Sequence, residues 1–378
     1  MKSAVNIARV IVGILFIFSG LVKANDPLGL SYKMQEFFEL WGMAKFNSWT
    51  LLMSVLMNAF EIIAGFALLL GWRIKLFSWL LLLLIVFFTF LTGYTYVTGT
   101  PKNCGCFGDC LPISSKTSFL KDVVLTLLIG FLFWKQKLIN PIFSKKATTT
   151  SMLVITVLSF GFQWYTLNYM PVVDCLPFKK GNNITQKMKI PEGARPDSFA
   201  IRFVYEKAGK QYEFAPAELP ADLATYKFVS RKDKLIKKGN AEPPIKGFSI
   251  SGVTDEDSTQ IVLSQPYAVL LFCEDFSVPV SKWEKEFANI YTTAKAKNIP
   301  VYMITTQSGE AAKNISGTSF AAMQVFKCDF TAIRTAARTN PCLFVLKQGT
   351  IVEKWSHHHF SSANKLIEGI TTQSAAPN

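Results

Sequence analysis

Histidine is nearly absent from this 378-residue chain, with three copies, all in the run His357-His-His359. No Ser-His-Asp order stands out. Adjacent histidines on a strand would point to opposite faces, which suits a metal poorly, so the run reads as an exposed polar stretch. No phosphate-binding loop and no paired catalytic carboxylates occur either. The seven cysteines include no Cys-x-x-Cys pair. No small-x-small cleavage site follows the first apolar segment. Gly20-Leu-Val-Lys23 runs straight on, which argues for a retained membrane span over a removed signal peptide.

What the chain does have is apolar length. Five segments, at 4–22, 50–70, 74–97, 119–138 and 151–170, are long and apolar enough to cross a hydrocarbon core. Beyond Pro171 the composition becomes that of an ordinary soluble domain, so two domains or more are expected. The net charge of +14 is then no nucleic-acid footprint, because much of the basic excess flanks apolar segments. The lysines between Lys179 and Lys246 alternate with acids and read as a solvated face.

Charge also orients the spans. Lys2 precedes the first span, Arg73 and Lys75 follow the second, and Lys135, Lys137, Lys145 and Lys146 follow the fourth, all without an acid. The alternate segments are balanced: Lys23, Lys33 and Lys45 against Asp26, Glu36 and Glu39, and Lys102 and Lys116 against Asp109. Lysine and arginine excess marks the cytoplasmic side. The expected arrangement has a cytoplasmic N-terminus and a soluble domain outside.

The same side receives the loop at 98–118, which holds Cys104-Gly-Cys106-Phe-Gly-Asp-Cys110. Three thiols in seven positions are redox partners, structural disulfide partners or metal ligands. The outside is where disulfides form and persist. Cys175 follows the fifth span by a few residues and must lie near the same face, so Cys104, Cys106, Cys110 and Cys175 are all disulfide candidates. The loop lacks histidine and its spacing is tight for zinc, so no metal is assigned.

Arg9 and Glu61 sit at membrane depth, where a charge costs several kcal/mol unless paired or hydrated. At about 1.5 Å per residue they lie roughly 7 and 13 Å from the inner edge, within reach of a guanidinium. They are expected to pair, as a buried lock or as ligands of a polar headgroup such as a quinone. Lys23 and Asp122 read as solvated boundary residues. Leu30–Phe46 has helical spacing of aromatics and is too polar to span, so it is expected to lie along the outer interface.

The order Arg9-(x)10-Gly20-Leu-Val-Lys23-Ala-Asn-Asp26-Pro27, then Glu61 in Phe-Glu-Ile-Ile-Ala-Gly65, resembles DoxX-like membrane proteins. Asn103-Cys104-Gly-Cys106-Phe-Gly108 is similar to the methylamine-utilisation MauE branch. The resemblance implies a four-helix membrane bundle over residues 1–140 in a bacterial inner membrane. It also implies quinone-linked redox chemistry, or disulfide formation and maturation of partner enzymes. A fifth span and exit segment (141–177) and a large external part depart from the plain family, in a fusion typical of Bacteroidota.

In that external part, 178–262 reads as a β-rich connecting region. It includes a hairpin of Phe199–Tyr205 and Gln211–Phe214 across Lys207-Ala-Gly-Lys210. Within 263–378 the order is strand Ala268–Phe272, helix, strand Ile299–Thr305, strand Met323–Lys327 and a helix near Phe330–Arg338. Asn340-Pro341, a hairpin of Cys342–Leu346 with Ile351–Lys354, and a last helix follow. This resembles the thioredoxin fold, with Pro341 at its cis-proline position. The family's Cys-x-x-Cys falls on Ser277-Val-Pro-Val280, which cannot form and resolve a mixed disulfide. Cys273 and Cys328 are expected to end neighbouring parallel strands, with Cys342 beside them, as inert core thiols, a bridge or a substitute redox site.

The expected fold is thus a membrane α-helical bundle plus a fifth helix, carrying a C-terminal α/β thioredoxin-like domain. Two functions remain open. One is a thiol–disulfide relay in which Cys104, Cys106 and Cys110 exchange with a periplasmic client and pass electrons toward a quinone. The other is a non-catalytic binding or assembly protein whose loop is stapled by disulfides. The expected partners are the lipid bilayer and a periplasmic protein, with no nucleic acid.

Overall fold

The computed structural model describes residues 1–101, 108, 110–111, 113–196, 198–237, 239, 241–252 and 255–371. The loop thiols Cys104 and Cys106, with Lys102 and Asp109, lie outside the described residues.

The N-terminal half is helical: α1 (Lys2–Ala24), α2 (Pro27–Leu40), α3 (Thr50–Leu70), α4 (Ile74–Thr98), α5 (Ser115–Trp134) and α6 (Lys145–Tyr169). Among the described residues, five helices are long and apolar enough to cross a membrane; these are all of the above except α2. Their ends follow local chemistry. Ser114 and Ser144 cap α5 and α6 by accepting from Thr117 N and Ala147 N, and Gly71 and Gly99 close α3 and α4 in the left-handed region. These caps start α5 and α6 earlier than hydropathy alone suggests. The first span and the second pack closely because glycine removes bulk at the crossing. A Cβ on Gly65 would meet Gly13 O at 2.8 Å, and one on Gly20 would meet Ile62 N at 2.9 Å. α6 packs on α3, where Asn58 Nδ2 donates to Gln163 Oε1 (3.2 Å) and Gln163 Nε2 donates to Val55 O (3.1 Å). α2 begins on Pro27 and is capped by Asp26, which accepts from Gly29 N (3.1 Å).

Beyond α6 come α7 (Ile184–Lys187), β1 (Ser198–Lys207), β2 (Lys210–Phe214), β3 (Lys227–Lys237), β4 (Ile250–Ser251), α8 (Thr259–Leu263) and β5 (Ala268–Cys273). They are followed by α9 (Glu284–Ala296), β6 (Val301–Thr305), α10 (Ser308–Ile315), β7 (Gln324–Cys328), α11 (Phe330–Ala336), β8 (Cys342–Lys347), β9 (Thr350–Ser356) and α12 (Phe360–Gly369). Two sheets form among the described residues, ordered β2-β1-β3 and β4-β7-β6-β5-β8-β9. The first contains the expected hairpin, with both turn residues, Ala208 and Gly209, at positive φ. Its inner strand buries Val204 alone.

The second sheet has β5, β6 and β7 parallel, with β8 and β9 returning antiparallel, and the Asn340–Pro341 bond is cis. That strand order and those connections are thioredoxin-like. Strand residues alternate between two cores. Val269, Leu271 and Cys273 face α9, α10 and α12, while Leu270, Phe272 and Cys342 face α7, α8 and α11. The second core also takes Phe178, Ile184, Ile245 and Phe248, so this domain reaches well before residue 263, with β1–β3 as an excursion from it.

Packing at the α1–α3 crossing gives a direct test. Gly65→Ala presses on the backbone of α1 and should cost about 1–3 kcal/mol. Gly130→Ala, with nothing within 4 Å of its added carbon, should not lower the melting temperature of the solubilised protein. Equal melting of the two variants would contradict this packing.

Candidate functional site

The thiol-loop end of the bundle gathers the candidate chemistry. Cys110 is disulfide-bonded to Cys175, with Cα atoms 4.8 Å apart. The bridge ties the loop to the segment leaving α6. Gly108 is carried over α1 as well, and a Cβ there would lie 4.0 Å from Val22.

The expected Arg9–Glu61 pair does not form. Arg9 caps the opposite end of α3: its Nε donates to Leu68 O (2.7 Å), its Nη2 to Leu69 O (2.5 Å) and its Nη1 to Asn140 O (3.1 Å). Leu68 and Leu69 are in the last turn of α3, whose carbonyls a helix end leaves without partners, and a cation is favoured there. The reason is register. Gly13 faces Leu69 and Gly65, so Arg9 lies level with the end of α3, whereas Glu61 lies level with the residues around Gly20. Glu61 instead forms an ion pair with Lys23, and both side chains are almost fully buried, at 1% and 3% exposure. Lys23 also sits over the Phe88 ring, 4.9 Å from its centroid. Asp122 is buried too, accepting from Thr92 Oγ1 (3.1 Å) and paired with Lys121 (2.6 Å). Both Lys23 and Asp122 were read as solvated boundary residues. The missed signal was the presence of one cation and two acids on spans ending at the same face.

These groups line a cavity of about 150 Å³ between α1, α2, α3, α4 and α5. Most of its wall is apolar and aromatic, including Phe16, Phe37, Phe38 and Trp41. Its polar lining is Ser19, Lys23, Lys33, Glu61, Thr92, Lys121 and Asp122. Among the described residues, Glu61 Oε2 is buried and has no hydrogen-bond partner. A buried acceptor left unsatisfied is costly. A small ring with an O–H or carbonyl at its edge fits such a cavity, with Lys23 as donor and Glu61 as acceptor.

The thioredoxin-like domain contributes a second edge. The residues between β5 and α9 include Ser277 and Val280 and contain no cysteine. Asn340, just before the cis bond, holds this connection. Its Nδ2 donates to Asp275 Oδ1 (2.6 Å), and its Oδ1 accepts from Glu274 N (3.1 Å). Ser277 Oγ donates to the same Asp275 oxygen (2.5 Å).

Cys273, Cys328 and Cys342 are buried and free. They do not form one cluster. β6 separates the strands ending in Cys273 and Cys328, and Cys342 faces the opposite core from Cys273. Burial pushes the thiols of Cys273 and Cys328 up to about 12, and that of Cys342 up to about 11. His357–His359 forms a 3-10 turn rather than a strand end, and His358 and His359 pack on Tyr169 at the end of α6. Among the described residues, no group of three His, Cys, Asp or Glu side chains is placed to hold a metal.

The methylamine utilisation protein MauE family matches residues 1–135, and a domain family of unknown function matches residues 199–238. No curated protein matches the chain. Among solved structures, yeast Sco1 with copper bound shares 10% identity over 33% of this chain and 92% of that one, with a TM-score of 0.26. The Xanthomonas campestris bacterioferritin comigratory protein shares 14% over 32% and 89%, with a TM-score of 0.25. A conserved Bacteroides fragilis protein of unknown function shares 19% over 28% and 84%, with a TM-score of 0.23.

Two outcomes follow from this geometry. Lys23→Met leaves the Glu61 carboxylate buried without its cation and should cost about 3–5 kcal/mol, most of it recovered by adding Glu61→Gln. Reversible unfolding in bicelles reads both, and a fully tolerated single variant contradicts the pair. The raised thiols should also stay protonated at pH 8, so maleimide should modify Cys273, Cys328 and Cys342 only after denaturation. Native-state labelling at a comparable rate, read by mass spectrometry, would show these thiols to be accessible.

Proposed function

We propose that this chain, with a MauE-family membrane domain in its first 135 residues and a thioredoxin-like domain after its fifth span, is a membrane-bound thiol–disulfide relay. It would mature periplasmic client proteins from a bacterial inner membrane. The charge asymmetry between loops supports a cytoplasmic N-terminus and an external thiol loop.

The observation that carries this reading is the Cys110–Cys175 bridge, which ties the loop to the segment leaving α6, held by Asn25 at the end of the bundle where Lys23, Glu61 and Asp122 line the aromatic cavity. Thiol chemistry and a candidate electron-acceptor site then share one end of the bundle. With Cys110 and Cys175 joined, Cys104 and Cys106 are the pair left to exchange. A client dithiol gives two electrons and two protons as its disulfide forms, and the Cys104–Cys106 disulfide becomes a dithiol. Reoxidation passes the same two electrons and two protons to a quinone, yielding a hydroquinone. In that step Lys23 Nζ is positioned to donate to a ring carbonyl. The Glu61 Oε2 atom is positioned to accept from a hydroxyl. Lys116 favours a thiolate in the loop.

The thioredoxin-like domain takes no part in electron transfer in this scheme. Its own thiols are buried and raised, and its β5–α9 connection carries Ser277 and Val280. It serves the client.

A second reading, in which the loop is only stapled, is favoured by the same bridge, since Cys110–Cys175 closes a long stretch of chain and stabilises whatever it closes. The two are separated by trapping. Cys106→Ala at native expression level should accumulate mixed disulfides between Cys104 and external clients, seen as reductant-sensitive adducts. Cys110→Ser should lower stability. If Cys106→Ala yields no adduct, and cysteine variants change only melting temperature, the relay is wrong and stapling stands.

A further inference from the structure

α4 and α5 run antiparallel beside the aromatic cavity and share a line of hydroxyl groups. On α4 it is Thr89, Thr92, Thr95 and Thr98, spaced by three residues. On α5 it is Ser118, Asp122 and Thr126, spaced by four. Two rungs join the helices. Thr89 Oγ1 lies 2.8 Å from Thr126 Oγ1, and Thr92 Oγ1 lies 3.1 Å from Asp122 Oδ2. The same register carried one step outward sets Thr95 opposite Ser118. The Tyr96 ring stacked on Phe119, with 5.9 Å between centroids, agrees with it. Both of these side chains are fully buried, and neither hydroxyl has a hydrogen-bond partner among the described residues. The other three threonines of α4 each donate to the carbonyl four residues earlier, on Ile85, Phe88 and Tyr94.

Among the described residues this line is closed inward and open outward. Inward of Asp122, Thr89 and Thr126 are occupied with each other and with the carbonyls of Ile85 and Asp122. Beyond them Leu81, Ile129 and Leu132 are buried. Outward, Thr98 and Ser114 are exposed at the ends of the two helices that flank the thiol loop. A step between rungs is about 4.5 Å along α4 and about 6 Å along α5. One water spans such a step with two hydrogen bonds of about 2.8 Å, and a buried water needs at least two polar partners. The hydroxyls of Thr95 and Ser118 supply them. Thr92 in turn suits both protonation states of Asp122. It donates to the carboxylate, or it accepts from the carboxylic acid while donating to Phe88 O (2.9 Å).

We propose that the α4–α5 seam is a proton path, in which water held by Thr95 and Ser118 carries protons from the loop side of the membrane to the Asp122 carboxylate in the cavity wall. The inference rests on the relay reading, whose proton balance it completes. When the loop dithiol closes to its disulfide, two S–H bonds break and one S–S bond forms. Two electrons and two protons leave. The quinone takes the two electrons, and each of its ring oxygens gains a proton. Thr92 and Asp122 both line the cavity, so Asp122 is placed to give a proton to the ring and to regain one through the seam. Protons are then released and consumed on the same side, and turnover carries none across the membrane.

The test uses the full-length protein in liposomes, oriented with the thiol loop outward. A membrane-impermeant dithiol peptide is supplied outside. The bilayer holds a decyl benzoquinone, fully substituted on its ring so that thiols cannot add to it. Absorbance follows hydroquinone formation, and a pH-sensitive dye in the lumen reports protons drawn from the other face. The wild type should reduce the quinone without making the lumen alkaline. Thr95→Val with Ser118→Ala removes the two hydroxyls and little volume. It should lower kcat roughly tenfold or more, with the quinone KM unchanged and a larger solvent deuterium isotope effect. Restoring a hydroxyl with Thr95→Ser should recover most of the rate, and Thr126→Val, inward of Asp122, should turn over like the wild type. Thermal melting checks that the double variant is folded; if it is not, Thr95→Val alone carries the comparison. Equal kcat in the wild type and the folded variant, or an equal loss in Thr126→Val, overturns the path and leaves the relay standing. A lumen that turns alkaline during wild-type turnover also overturns it, by assigning the protons to the opposite face. No quinone reduction above the background of Cys104→Ser with Cys106→Ser removes the relay, and the path with it.

Discussion

The chain turns a corner at Ala24-Asn25-Asp26, and the arrangement of every other part passes through it. Thr166 Oγ1 donates to Ala24 O (3.0 Å), fixing the end of α6 against the end of α1. Asn25 exchanges both of its amide functions with the backbone of Val173, which sets the direction of the segment leaving α6. Asp26 caps α2 and receives Arg338. One short stretch thus anchors the first span, the interfacial helix, the fifth span and the soluble domain. Such a corner is stable because each polar group on it has a partner where water is scarce. The same corner holds Val173, two residues before Cys175, which is bridged to Cys110.

α2 is the element that this corner orients, and its periodicity gives it two jobs. Met34, Phe37, Phe38 and Trp41 line the aromatic cavity inside the bundle. Leu28, Ser31, Tyr32 and Gln35 line the cavity beneath the thioredoxin-like domain. With 3.6 residues per turn these sets fall on different faces of one short helix, so the helix is a wall common to both.

Much of the fold was readable because the apolar segments and the strand alternation are strong, local signals. The five apolar helices, the helical reading of α2, the β1–β2 hairpin and the thioredoxin-like strand order all come from patterns of period 3.6 or 2. What failed was register, which no single segment contains. Arg9 and Glu61 were matched by depth alone, yet the α1–α3 crossing is set where Gly13 and Gly20 meet Gly65 and Ile62. Glycines seven residues apart on one span were a visible hint of close approach. Likewise Cys273 and Cys342 stand near each other in strand order, but the pairing of Phe272 with Cys342 puts the two thiols on opposite faces. The contacts of Arg334 and Arg338 were not legible, because their partners lie some three hundred positions away in the chain.

The connection between β5 and α9 and the way the thioredoxin-like domain docks are linked by hydrogen bonds. A redox edge has to leave its nucleophile accessible and its surroundings uncommitted. Here the β5–α9 connection is tied to Asn340 through Asp275 and Glu274, and Glu274 is tied to Arg334, which reaches α2 through Gln35. These side chains hold the domain to the membrane half. The docking is polar and part-buried rather than a large apolar seam, so it positions the domain without closing the space beneath it.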